Sequence, residues 1–147
     1  MPRKTILLVE DNPDDVDLTL RAFNRHNVAN HVVVACDGEE ALDYLFASGM
    51  HADRDPDALP TVVLLDLKLP KVPGLDVLKR MRTDDRTRRV PVVILTSSNE
   101  EHDIATSYDL GANSFVRKPV DYAQFVDAAR QLGLYWLVLN QAADPGY

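Results

Sequence analysis

Four consecutive apolar residues, Val62-Val63-Leu64-Leu65, run straight into Asp66, and the chain then breaks at Pro70. A half-buried strand alternates polar and apolar residues. A run that does not alternate is buried on both faces, as strands are in a parallel sheet covered by helices. Ile6-Leu7-Leu8-Val9, Val32-Val33-Val34 and Val92-Val93-Ile94-Leu95 are runs of the same kind, and Ser114-Phe115-Val116-Arg117 reads as a fifth strand. Helical stripes lie between them: Val16, Leu20 and Phe23; Ala41, Leu42, Leu45 and Phe46; Leu75, Val77, Leu78 and Met81, with Lys79, Arg80 and Arg82 outward. Helix starts are marked by Asn12-Pro13 with acids following, by Asp37 with Glu40, by Ser98-Asn99-Glu100-Glu101, and by Asp121 with Gln124. The first helix is expected to end near His26-Asn27, and the fourth to run through Leu110 and stop at Gly111. Strands alternating with helices predict an α/β fold, a parallel sheet with right-handed crossovers and helices on both faces.

In such a sheet all strands end at one edge, where open α/β folds form their ligand crevice. The first strand ends in Glu10-Asp11, the third in Asp66, the fourth in Thr96 and the fifth in Lys118. An isolated Asp after a strand would merely cap a loop. Three carboxylates gathered at one edge repel one another, and burying them unpaired is costly. A divalent cation relieves this, and Mg²⁺ favours one or two carboxylates together with water and phosphate oxygens. With the Lys118 ammonium and the Thr96 hydroxyl, the groups needed for phosphoryl transfer to a carboxylate are present, Asp66 being the acceptor.

The rest of the chain bounds the function. Its 147 residues fit one domain, and a net charge of -7 argues against a nucleic-acid surface. The single cysteine, Cys36, fits a reducing compartment and is expected to be packed rather than reactive. No run approaches a membrane span and the N-terminal apolar stretch is too short for a signal peptide, so a cytoplasmic protein with no membrane partner is expected. Ser48 to Pro60 reads as a long exposed loop and Asp84 to Arg89 as a solvated connection. Arg80, Arg82, Arg86, Arg88 and Arg89 read as a solvated face. His26, His31, His51 and His102 do not cluster and read as surface residues.

Glu10-Asp11, Asp66, Thr96 and Lys118-Pro119, in this order and each after its strand, resemble the receiver domain of two-component response regulators. The resemblance covers nearly the whole chain. It implies a flavodoxin-like (CheY-like) doubly wound five-stranded sheet of order 2-1-3-4-5, with a core over about residues 4–132 and an extended last helix and tail over 133–147. It implies that Asp66 takes a phosphoryl group from the phosphohistidine of a sensor histidine kinase. Glu10 and Asp11 would then organise Mg²⁺, Asp11 more directly, with the backbone carbonyl of Lys68 completing the protein ligands. Thr96 and Lys118 would bind the phosphoryl oxygens. Phe115 would be the aromatic switch residue, although alone it would read as a core aromatic, and the Lys118–Pro119 bond is typically cis in the family. Lys68 and Ser98 would lie near an attacking water and tune hydrolysis. Asp103-Ile104-Ala105-Thr106-Ser107-Tyr108, the run from Gln124-Phe125 to Leu139 and the long loop before the third strand resemble the single-domain regulators paired with bacterial and cyanobacterial phytochromes. The kinase partner implied is a bacteriophytochrome.

The last helix carries a signal of its own. Phe125, Ala128, Ala129, Leu132, Trp136 and Leu139 share one face and are expected in the core. Leu134, Tyr135, Leu137 and Val138 make its end apolar all round, which points to a partner surface. With Trp136, these residues are the expected homodimer interface; the tail from Gln141 to Tyr147 reads as frayed, with no output domain. Two other readings share the fold. A Mg²⁺-dependent aspartyl phosphohydrolase commonly needs a second Asp two residues after its nucleophile, where this chain has Lys68. A pseudo-receiver would use the same surfaces without ever carrying phosphate.

Overall fold

Five strands, Thr5–Val9 (β1), His31–Ala35 (β2), Val62–Leu65 (β3), Val92–Thr96 (β4) and Ser114–Arg117 (β5), pair in parallel in the order β2-β1-β3-β4-β5. The computed structural model describes residues 4–25, 31–98, 100–119 and 121–143. His26, Asn27, Asn99 and the tail beyond Ala143 lie outside the described residues. Helices Pro13–Arg25 (α1), Gly38–Phe46 (α2), Gly74–Thr83 (α3), Glu101–Asp109 (α4) and Tyr122–Leu134 (α5) alternate with the strands, and a π-helical turn, Tyr135–Leu139, extends α5. The central strands are buried on both faces, as their unalternating runs require. Leu7, Val9, Val63, Leu65, Val92 and Ile94 face Ala41, Leu45, Val77, Leu78 and Met81 of α2 and α3. Ile6, Leu8, Val62, Leu64 and Val93 face Ala22 and Phe23 of α1, Ala129 of α5, and Trp136 and Leu137. The doubly wound reading and its strand order hold.

The helix starts hold where the cap is local. Asn12 Oδ1 accepts the N–H of Asp14 at 2.9 Å and of Asp15 at 3.3 Å. Asp37 Oδ1 accepts from Glu40 at 2.8 Å, and Asp121 Oδ1 from Gln124 at 3.0 Å. Gly111, at φ +99°, turns the chain out of α4. The fourth start differs. α4 begins at Glu101 with no side-chain cap on its N-cap residue Glu100; Ser98, two residues ahead of it, donates its hydroxyl proton to Asp103 Oδ2 at 2.6 Å and accepts the Glu100 N–H at 3.4 Å.

Several surface readings are corrected. Arg82 is half-buried and donates to the carbonyls of Gly111 (2.9 Å) and Val90 (2.8 Å) and to Asn113 Oδ1 (3.1 Å), tying α3 to the approaches of β4 and β5. The connection after it is anchored by Thr87, fully buried, whose hydroxyl donates to the Met81 carbonyl. The long loop is organised around Arg54, which donates to the carbonyls of Tyr44, Leu45, Asp55 and Ala58. His51 is half-buried, with Nε2 3.2 Å from Glu40 Oε2 and its ring edge-on to Tyr44. Cys36, expected to be packed, is exposed.

The largest shift is at the end of the last helix. Leu137, expected at the partner surface, is 2% exposed, whereas Leu139, expected in the core, is 63% exposed. The π-helical turn is the reason. Its wider i→i+5 spacing, seen in the Asn140 N–H donating to the Tyr135 carbonyl at 2.7 Å, rotates the later side chains around the axis. Trp136 is buried against the sheet, as its core face requires. Leu134, Tyr135, Val138 and Leu139 form the exposed apolar end.

Candidate functional site

The sheet's backbone bonding carries on past the strand ends and fixes the polar residues there. The N–H of Glu10 donates to Ala35 (3.0 Å), that of Asp66 to Val9 (3.1 Å) and that of Lys118 to Thr96 (2.7 Å). Thr96 itself closes β4. The start of α3 presses on the back of this edge. A Cβ on Gly74 would lie 2.2 Å from the Asp66 carbonyl oxygen, so only glycine fits.

Asp66 is 6% exposed and both its oxygens are engaged. The Thr96 hydroxyl donates to Oδ1 at 2.7 Å and the Lys68 N–H to the same atom at 3.2 Å. Lys118 Nζ donates to Oδ2 at 3.1 Å, to Asp15 Oδ2 at 2.8 Å and to Glu10 Oε1. Glu10, 3% exposed, accepts the Asn12 N–H on its other oxygen at 3.1 Å. Oxygens of Glu10, Asp11 and Asp66 all lie within 4.8 Å of one another. Three hard oxygen donors with no nitrogen or sulfur fit a hard divalent cation such as Mg²⁺. Asp11 is the exposed member of the three.

Charge in the pocket is unevenly held. Burial pushes the Glu10 carboxyl up to about 7, against the pull of its bond to Lys118. Burial alone would raise Asp66 too, but the Thr96 hydroxyl, the Lys118 ammonium and the Lys68 N–H outweigh it and hold Asp66 below the usual carboxylate range. Lys118 faces a burial penalty that its bonds to Asp15 and Glu10 and the charge of Asp66 overcome, so it stays an ammonium well above its ordinary range. Burial of Glu10 and the pairing of Lys118 oppose each other across one hydrogen bond; Glu10 is the partner that gives up its charge first.

The pocket therefore brings together Glu10, Asp11, Asp66, Thr96 and Lys118, each expected there. Lys68 is present through its N–H. Phe115 lies on β5 beside Ile94 of β4, half-buried against the α2–α3 side of the core. The Lys118–Pro119 bond is trans, not cis; trans is the more stable isomer of an X–Pro bond by a small margin. Asp15 was missed. It reads in sequence as an ordinary first-turn acid, but α1 starts at the sheet's carboxyl edge, and helical side chains lean toward the helix N-terminus.

Fold and pocket together define a doubly wound α/β protein with an acidic strand-end site flanked by a hydroxyl and an ammonium. The chain belongs to the response regulator receiver domain family, whose model matches residues 6–130. The bacteriophytochrome response regulator AtBRR is 54% identical, with 96% of this chain and 100% of that chain covered and a TM-score of 0.75. The phosphorylated cyanobacterial phytochrome response regulator RcpA is 36% identical, with 97% and 100% covered and a TM-score of 0.90. Response regulator Rcp1 of Synechocystis sp. is 31% identical over 92% of this chain and 90% of its own length. Its Mn(2+)-bound crystal structure aligns with a TM-score of 0.89, covering 97% of this chain and 100% of that chain. Among the described residues no helix is long and apolar enough to cross a membrane.

Proposed function

We propose that this chain is a cytoplasmic phosphorylation switch of a two-component pathway, with Asp66 as the phosphoacceptor. The observation that carries this reading is Asp66 itself, ionised in a buried pocket and held by Thr96 and Lys118 beside converging carboxylates. One Asp66 oxygen attacks the phosphorus of a kinase phosphohistidine, the P–N bond breaks, and the imidazole leaves with the electron pair. Thr96 and Lys118 then donate to phosphoryl oxygens in place of the carboxylate. Glu10, Asp11, Asp66 and the Lys68 carbonyl would hold Mg²⁺, which supplies charge neutralisation for the transferring group. As Thr96 turns to the phosphoryl group, Phe115 repacks and the face made by α4, β5 and α5 changes.

Kinship with AtBRR and RcpA supports a bacteriophytochrome as the kinase. The exposed apolar end of the last helix, Leu134, Tyr135, Val138 and Leu139, supports a homodimer there, with Trp136 and Leu137 holding that end on the sheet. Lys68 in place of a second acid counts against a phosphohydrolase. The test is intact mass after incubation with acetyl phosphate. Wild type is expected to gain one phosphoryl group with Mg²⁺ and none without it, and Asp66→Asn none in either case. A folded wild type that gains nothing with Mg²⁺, or an Asp66→Asn variant that gains as much, overturns the assignment.

A further inference from the structure

A lysine ammonium has three protons to donate, and each proton of Lys118 has its own carboxylate: Glu10, Asp15 at 2.8 Å and Asp66 at 3.1 Å. Glu10 and Asp66 also belong to the set of carboxylates whose oxygens converge. A divalent cation and the ammonium therefore draw on the same two groups, and their positive charges repel at close range. Asp15 stands outside that set. Its backbone is fixed by Asn12, next to the cation-facing Asp11, and its side chain is only 22% exposed, so the pair with Lys118 is shielded more than a surface bridge.

We propose that Asp15 is a positioning residue that keeps Lys118 beside Asp66 when a divalent cation takes Glu10 and Asp66. With Asp15 present, the ammonium loses two partners to the cation and still has a third, in the first turn of α1. Without it, the ammonium can hold only the carboxylates the cation needs, and each excludes the other. The inference rests on the cation pocket proposed above and adds the residue that lets cation and lysine occupy it together.

The experiment is Mn²⁺ binding to the full chain, with free Mn²⁺ counted by electron paramagnetic resonance. Asp15→Asn keeps the side-chain size and removes the charge; its affinity is expected to fall about tenfold, the scale of one shielded ion pair. Asp15→Glu restores the charge and is expected within about threefold of wild type. Lys118→Met removes the competing ammonium and is expected to bind more tightly than wild type. In that background Asp15→Asn is expected to cost no more than about twofold, because Asp15 acts through Lys118. Circular dichroism melts establish that each variant is folded. Wild-type affinity in Asp15→Asn, or the same loss with and without Lys118, overturns the role of Asp15 while leaving the pocket intact. A wild type that binds no Mn²⁺ overturns the pocket and this role together.

Discussion

The tightest contact behind the acceptor is at Gly74, and adding one methyl there tests how rigidly the fold holds Asp66. The Cβ of Gly74→Ala would lie 2.2 Å from the Asp66 carbonyl oxygen, 2.7 Å from Leu67 Cα and 3.0 Å from the Asp66 carbonyl carbon. All three are backbone atoms, so no side chain can turn aside. Restoring an ordinary C···O contact of about 3.3 Å requires a shift of about 1 Å between α3 and the end of β3. That shift strains the bond from the Gly74 N–H to the Leu67 carbonyl, now 3.0 Å. Overpacking of this kind costs about 1–3 kcal/mol and the bond about 1 more. The better helix propensity of alanine returns less than about 1 kcal/mol at this first position. The expected loss is therefore about 1–4 kcal/mol, read by urea unfolding. The functional loss should be larger in proportion. Displacing a reacting group by about 1 Å can slow transfer about a hundredfold, read as the initial rate of phosphorylation by acetyl phosphate with Mg²⁺. If Gly74→Ala unfolds at the wild-type midpoint and phosphorylates at the wild-type rate, the edge is softer than this packing implies.

Two further predictions concern charge and assembly. Because burial pushes the Glu10 carboxyl up to about 7 in the cation-free pocket, above its ordinary 4.5, its contribution to stability is full below about pH 4.5 and is lost as pH rises through 7. A cation needs the ionised form, so apparent Mn²⁺ affinity should fall about tenfold per unit below pH 7 and level off above it; the profile should flatten in Glu10→Gln, and an unchanged slope there would assign the proton elsewhere. Val138 is 61% exposed, so Val138→Asp should leave the melting point within about 2 °C of wild type while shifting a dimer toward monomer in sedimentation velocity; a dimer that persists places the interface on another face.

What was legible in the sequence was what short-range rules or parallel topology determine. Val62–Leu65 had to be a doubly buried strand because nothing in it alternates, and Asn12, Asp37 and Asp121 cap helices that begin within three residues of them. Asp66, Thr96, Glu10 and Lys118 could be gathered from far apart because every strand of a parallel sheet delivers its last residue to the same edge. Arg82 and Arg54 were not legible, since a charged side chain reads as solvated unless its distant carbonyl partners are known, and those of Arg82 lie across the turn before β5. The exchange of Leu137 for Leu139 in the core was hidden for a related reason. Within the π-helical turn that causes it, the carbonyl of Leu137 is taken by Lys4, at the other end of the chain. Asp15 is the instructive miss, because the rule that located Asp66 extends to it. In a doubly wound fold each helix that follows a strand starts at that same edge, and its first-turn side chains lean back over it. When the connection is as short as Glu10 to Asn12, a first-turn acid belongs with the strand-end residues, and the pocket around Lys118 then has an acid on the helix side as well as on the sheet.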